Sequence, residues 1–206
     1  MRLTLHTFLT LDGVMQAPGA RDEDRDGGFE HGGWSFPYSD QDFGETMAGW
    51  FANADAFLLG RRTYEIFSGY WPKVTDPDDP IASKLNSLPK YVAATPLASL
   101  DWHNSSLLGG DVAAEVARLK ELPGRELQVH GSGELAQTLI DHDLVDEYRL
   151  LFFPVRLGTG KKLFRDGAPA AALRLTHSST TSTGVIIATY EPAGPPKYGS
   201  FTLDES

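Results

Sequence analysis

Twice along this chain a short apolar strand runs straight into a glycine turn and then a helix. The first is Ala56-Phe57-Leu58-Leu59, followed by Gly60-Arg61-Arg62-Thr63-Tyr64-Glu65. The second is Glu126 to His130, followed by Gly131-Ser132-Gly133 and a helix over Ser132 to Asp143 with Leu135, Leu139 and Ile140 inward. A strand that feeds a helix reaches its next neighbour by a crossover, which predicts parallel strands with helices between them. Ligands of such sheets sit at the carboxyl ends of the strands, where both turns lie.

The remaining segments fit this frame. Arg2 to Leu11 alternates, with Leu3, Leu5, Thr7 and Leu9 on one face and Thr4, His6, Phe8 and Thr10 on the other. It stops at the turn Asp12-Gly13. Gln16 to Ser39 reads as a long irregular loop with an acidic run (Asp22, Glu23, Asp24, Asp26) and the exposed-looking aromatics Phe29, Trp34, Phe36 and Tyr38. A loop of that length is either functional or a solvated insertion. From Asp40 to Ala54, the residues Phe43, Met47, Trp50, Phe51 and Ala54 share one helical face, with Ser39 or Asp40 as N-cap. Trp71 to Pro89 reads as a proline- and aspartate-rich loop with about one helical turn, and Tyr91 to Ala94 as a short strand. Asp111 caps a helix through Val112, Val116 and Leu119. Glu147 to Val155 is a strong strand, and Leu173 to Ser179 with Thr183 to Tyr190 closes as a hairpin. The expected architecture is α/β: a mostly parallel central sheet flanked by helices, with an antiparallel C-terminal edge hairpin. Residues 1–191 form one domain in this reading, and the proline- and glycine-rich tail 192–206 is peripheral.

Composition narrows the function. The 206 residues include no cysteine, which excludes a disulfide scaffold, cysteine–zinc sites and thiol catalysis. Eighteen basic residues against 28 acidic give a net charge of −10, unfavourable for nucleic acid or an anionic membrane. A phosphate-bearing ligand must therefore bind through a local patch. No stretch approaches the ~20 apolar residues that span a bilayer, and no leader is evident, so the expected location is the cytoplasm. The six histidines show no metal spacing, and no metal is expected.

Gly131-Ser132-Gly133-Glu134-Leu135-Ala136 matches G-x-G-x-x-A, in which missing side chains let backbone N–H groups meet a pyrophosphate. A plain strand–helix turn explains the glycines equally well. Gly60-Arg61-Arg62-Thr63 has the same topology with two cations and a hydroxyl, suited to a phosphate monoester; the alternative is an exposed charged first turn. Two such turns favour one extended dinucleotide. Ser132 lacks the flanking glycines of a nucleophile elbow, because His130 and Glu134 stand there. Leu157-Gly158-Thr159-Gly160-Lys161-Lys162 lacks the first glycine of a P-loop and reads as a connecting loop.

Taken in order, Thr10-Leu11-Asp12-Gly13, Leu58-Leu59-Gly60-Arg61-Arg62-Thr63-Tyr64-Glu65, Pro89-Lys90-Tyr91-Val92, Val129-His130-Gly131-Ser132-Gly133-Glu134-Leu135, Leu144-Val145-Asp146-Glu147 and Pro154-Val155-Arg156-Leu157-Gly158-Thr159-Gly160-Lys161-Lys162-Leu163-Phe164 resemble the dihydrofolate reductase-like family. The nearer likeness is to its branch containing the C-terminal reductase domain of the bifunctional riboflavin-biosynthesis deaminase/reductase, over about residues 2 to 191. The resemblance implies a dihydrofolate reductase-like fold, an NADPH site and hydride transfer to a pterin-like or pyrimidine-like heterocycle. Arg61, Arg62 and Thr63, with Gly60, would hold the 2′-phosphate and pyrophosphate, and Gly131, Ser132, Gly133, Glu134 and Leu135 would lie over the pyrophosphate. Where relatives carry Ser-Arg, this chain has Ala94 and Thr95, which would blunt a preference for NADPH about tenfold or more. Asp12 and Asp42 are the candidate catalytic carboxylates, and Gly13, Trp34 and Phe43 the candidate substrate contacts, with Trp34 or Phe36 as a stacking wall. A homodimer through the late strands is implied as well. A nucleotide-binding module without turnover and a structural homodimer stand as alternatives.

Overall fold

The computed structural model describes residues 1–94 and 100–201. One eight-stranded sheet runs β4-β3-β2-β5-β1-β6-β8-β7. Its strands are β1 (Arg2–Thr10), β2 (Ala54–Gly60), β3 (Lys90–Ala93), β4 (Ser105–Leu108), β5 (Glu126–His130), β6 (Glu147–Phe153), β7 (Leu173–Thr180) and β8 (Ile186–Pro192). The first six are parallel, and β8 and β7 join antiparallel at one edge. The expected architecture is present. The helices are α1 (Gln41–Ala52), α2 (Arg61–Tyr70), α3 (Pro80–Ser87), α4 (Val112–Glu121) and α5 (Gly133–Asp141). None of the described helices is long and apolar enough to cross a membrane.

Two elements depart from the expectation. Trp71 to Pro89 holds a full helix, α3, as well as a 3-10 turn. Asp79 caps α3, its Oδ1 accepting from Ile81 and Ala82 N–H, and Pro80 stands at the first helical position. Strand β4 was not expected, because four residues at a sheet edge carry too little pattern.

β1 is central, so both faces of its alternation are buried. Leu3, Leu5 and Leu9 pack in one core with α4 and α5 residues such as Val116 and Leu139. The other face meets α1 and α3 through Met47, Phe51 and Leu85. There the sheet is partly polar. Register sets His6 beside His130 and Arg149, and Thr4 beside Gln128 and Glu147. Arg149 donates to Glu126 through both terminal nitrogens, at 2.6 and 3.1 Å, and to Glu147 through Nε at 2.5 Å. The guanidinium also lies over Trp50, 5.6 Å from the ring centroid. Charges this deep require such full pairing to be tolerated.

The stretch Gln16 to Ser39 is a folded lid. Phe29 and Trp34 are buried in the second core, whereas Phe36 is exposed and Tyr38 half-buried. The glycine-rich Leu157–Lys162 segment is its seat. Met15 N–H donates to Lys161 O, and Gly160, at φ +124°, abuts Val14 and Phe29 where a Cβ would collide at 2.6 Å. Lys161 Nζ pairs with Asp24 and Asp26 at 2.8 and 2.9 Å, which neutralises part of the acidic run.

Candidate functional site

A cleft of about 1030 Å³ opens where β2 and β5 end and α2 and α5 begin. Gly60 ends β2 and Gly131-Ser132 follows β5, so the two glycine turns meet at one rim. Ser132 Oγ accepts from Gly60 N–H at 2.9 Å and donates to Thr63 Oγ1 at 2.8 Å. The fit is close: a Cβ on Gly60 would stand 3.1 Å from Ser132 Cβ. Gly131 and Ser132 both adopt left-handed backbone, at φ +59° and +64°. For serine that conformation costs about 1–3 kcal/mol, a strain of the kind that gathers at ligand clamps. Neither α2 nor α5 has a side-chain cap at its N-terminus. Their first amides are therefore available to an anion, and the helix dipoles favour one.

Charge at this rim is local and already engaged. Arg61 pairs with Glu65 one turn along α2, and Arg62 reaches Asp24 of the lid at 3.4 Å. Both arginines are more than half exposed, so each pair is weak and exchangeable. Gly60, Arg61, Arg62, Thr63, Gly131, Ser132, Gly133, Glu134 and Leu135, the residues singled out as phosphate contacts, all line this cleft. Thr95 lies outside the described residues.

Beyond the rim the cleft becomes an aromatic chamber. Phe43, Met47 and Phe51, spaced one turn apart on α1, face Phe8 and His6 of β1 and His130 of β5. Phe8 meets Phe43 edge to face at 5.5 Å, and Phe51 stacks on His130 at 4.5 Å. His6 and His130 lie 4.4 Å apart. Burial drives the imidazole pKa of His130 down to about 3, with Arg149 adding to the effect. Burial, then His130 and Arg149, lower that of His6 as well. Both rings are neutral at neutral pH. Among the described residues, Nδ1 of His6 and Oγ1 of Thr7 are buried without a partner, each a cost of about 1–3 kcal/mol.

The other expected site residues lie elsewhere. Asp12 ties the lid's seat: its carboxylate accepts from Thr10 Oγ1 at 2.6 Å and from Leu157 and Gly158 N–H at 3.2 and 2.6 Å. Those bonds, the one from Thr10 first, lower its pKa to about 2, so it holds no proton to donate. Gly13 serves the same turn at φ +80°, its N–H on Thr10 O. Trp34 is only 7% exposed, its Nε1 donates to Gln16 O, and its ring meets the edge of Phe153. It is a core residue and forms no stacking wall. Asp42 accepts from Ser182 N–H at the hairpin turn. None of these four lines the cleft; Phe43 does. His6, Met47, Phe51 and Lys161 are lining residues that the sequence reading did not assign to the site. The helical spacing of Met47 and Phe51 was visible, but spacing alone does not distinguish a core face from a chamber wall.

The family model of the RibD C-terminal domain matches residues 2–187. The chain belongs to the RibD C-terminal domain family. Two Bacillus subtilis (strain 168) relatives of this RibD C-terminal domain are both uncharacterized. YyaP is 31% identical over 192 residues, 92% of this chain and 94% of the relative. YwjB is 30% identical over 125 residues, 61% and 67% respectively. Two solved structures share the domain's fold. A Shewanella sp. PV-4 protein named for riboflavin biosynthesis superposes with TM-score 0.66 at 20% identity, covering 93% of this chain and 99% of that one. A pyrimidine reductase-like protein of Corynebacterium diphtheriae gives 0.59 at 14%, covering 93% and 91%. The dihydrofolate reductase-like architecture of the RibD C-terminal domain is thereby established for this chain.

Proposed function

We propose that this chain is an NADPH-dependent oxidoreductase that passes hydride to a small, flat heterocycle, pterin-like or pyrimidine-like. One observation carries the reading: two uncapped helix N-termini, joined through Ser132, edge a single cleft that continues into an aromatic chamber. Family membership supports it.

The residues fit a dinucleotide. The amides that begin α2 and α5 would meet the pyrophosphate, with Gly60 and Gly131 giving the backbone close approach. Arg61 and Arg62 would take the 2′-phosphate, and Arg62 would exchange Asp24 for it. When bound, the dihydronicotinamide supplies the hydride. The chain's own residues position and exclude: Phe8, Phe43 and Phe51 hold a flat ring, and the lid keeps water from it.

The test is a thermal shift with NADPH and NADH on wild type and Arg62→Ala. A ligand at a hundredfold excess over its Kd stabilises by about 2.7 kcal/mol. The expected result is a larger shift with NADPH, and loss of that advantage in Arg62→Ala. No shift with either nucleotide would discard the reading.

A second reading, a nucleotide-binding module without turnover, has its own support. Among the described residues no carboxylate of α1 or β1 lines the chamber. Loss of NADPH absorbance with a panel of pyrimidines and pterins separates the two. The proposal includes a homodimer through the β8–β7 edge, where Leu175 and Ile186 are about half exposed. Light scattering that gives a monomer mass would remove that part.

A further inference from the structure

Two histidines in the chamber wall take no part in holding the dinucleotide. His6 and His130 lie side by side on β1 and β5, and both line the cleft. Among the described residues the only hydrogen bond of the His130 ring runs through Nε2.

The hydrogen bonds behind that ring fix its tautomer. Arg149 clamps Glu126 from both terminal nitrogens, so Glu126 is a carboxylate that only accepts. Gln128 Nε2 lies 2.6 Å from Glu126 Oε2 and 2.7 Å from Trp50 O. Both partners are acceptors, so the Gln128 amide must turn its nitrogen to them and its oxygen to His130. That oxygen stands 3.1 Å from His130 Nε2 and can only accept. The proton of the neutral ring is therefore on Nε2, and Nδ1 keeps a lone pair.

We infer that His130 Nδ1 is the acceptor for a ring N–H of a flat, uncharged heterocycle seated against Phe8, Phe43 and Phe51. Within the heterocycles already proposed, the site thus selects those with a ring N–H to offer that acceptor. The carboxylates of the cleft, Glu23, Asp24, Asp26, Glu65 and Glu134, belong to the lid, α2 and α5; a cation in the chamber finds none on α1 or β1 and has Arg149 behind the rings. A carboxylate ligand would face the lone pair. Gln128, Glu126 and Arg149 act as positioning residues through the ring. The inference rests on the reductase reading only in taking the chamber as the substrate's seat.

Two measurements on the full chain test it. Nitrogen-15 NMR of the histidine rings should show His130 with Nε2 protonated and Nδ1 bare, and the Nδ1 signal should move on adding pteridine-2,4-dione. That compound should bind roughly tenfold more tightly than its 1,3-dimethyl derivative, which keeps the ring but lacks the N–H donors. His130→Phe should close the gap. A proton on Nδ1 in the free protein overturns the inference, as do equal affinities for the two pteridines or binding of neither. NADPH is titrated in parallel. If it binds while the pteridines fail these tests, the inference falls and the reductase reading stands. If NADPH does not bind, that reading falls, while the tautomer and the pteridine pair still decide the role of His130.

Discussion

Arg149 shows how one side chain can carry much of a fold's polar interior. Its charge is shared between Glu126 and Glu147, and its plane covers Trp50. Arg149→Met would leave buried Glu126 without its cation and Glu147 with Arg2 alone, 3.0 Å away. Breaking such a pair from one side costs about 3–5 kcal/mol. For a chain of this size that lowers Tm on the order of 10 °C, which calorimetry would show. A Tm within about 2 °C of wild type would mean that the carboxylates find water or each other's protons instead. The same residue orders the chamber: without it Glu126 and Gln128 lose their fixed orientation, and so does His130.

Among the elements, α1 and the β7–β8 turn are fastened by two carboxylates, Asp40 and Asp42, and Asp40 makes the larger share of the bonds. Asp40 Oδ1 accepts from Phe43 N–H as helix cap, while Oδ2 accepts from Thr183 N–H and Ser182 Oγ. These bonds, the Phe43 amide first, hold the carboxyl well below the usual carboxylate range. Asp40→Ala should therefore speed amide exchange at both Phe43 and Thr183, although 140 residues separate them. Acceleration at Phe43 alone would show that the turn does not depend on the clasp. The cap itself was legible, since Asp40 stands before a helical apolar face. Its second role was not, because a contact across the sheet leaves no local pattern. Phe29 and Trp34 teach the same lesson: glycines and acids around them resemble a solvated loop, yet Val14, Gly160 and Phe153 bury them from far along the chain. The helix α3 was legible in principle, since Asp79-Pro80 is a start signal. Proline and aspartate in number outweighed it.

The pH response belongs to the whole molecule. His6 and His130 fold as neutral rings with lowered pKa, from an unfolded value of 6.5. Above 6.5 neither state binds the proton and stability is full. As pH falls below 6.5 the unfolded chain takes up protons that the folded chain refuses, and stability is lost until pH passes the folded pKa, about 3 for His130. Each ring contributes a slope of up to about 1.4 kcal/mol per pH unit. Urea midpoints should drop between pH 7 and 5, and drop less in His130→Phe; equal drops would assign the effect to other groups. Apart from α3 and β4, the order of strands and helices, the glycine turns and the family were readable from local pattern and motif. The polar face beneath α1 was not. Thr4, His6, Gln128 and Arg149 become neighbours only through register, which sequence periodicity does not set.

The central position of β1 also bears on biosynthesis. β1 leaves the ribosome before the other strands of the sheet, yet both of its neighbours, β5 and β6, begin more than a hundred residues later. At ~5–20 residues per second, its apolar leucines wait on the order of ten seconds for a partner. During that interval the nascent chain presents an unpaired strand, and the emerging β2–α2 unit or a chaperone is what can shield it.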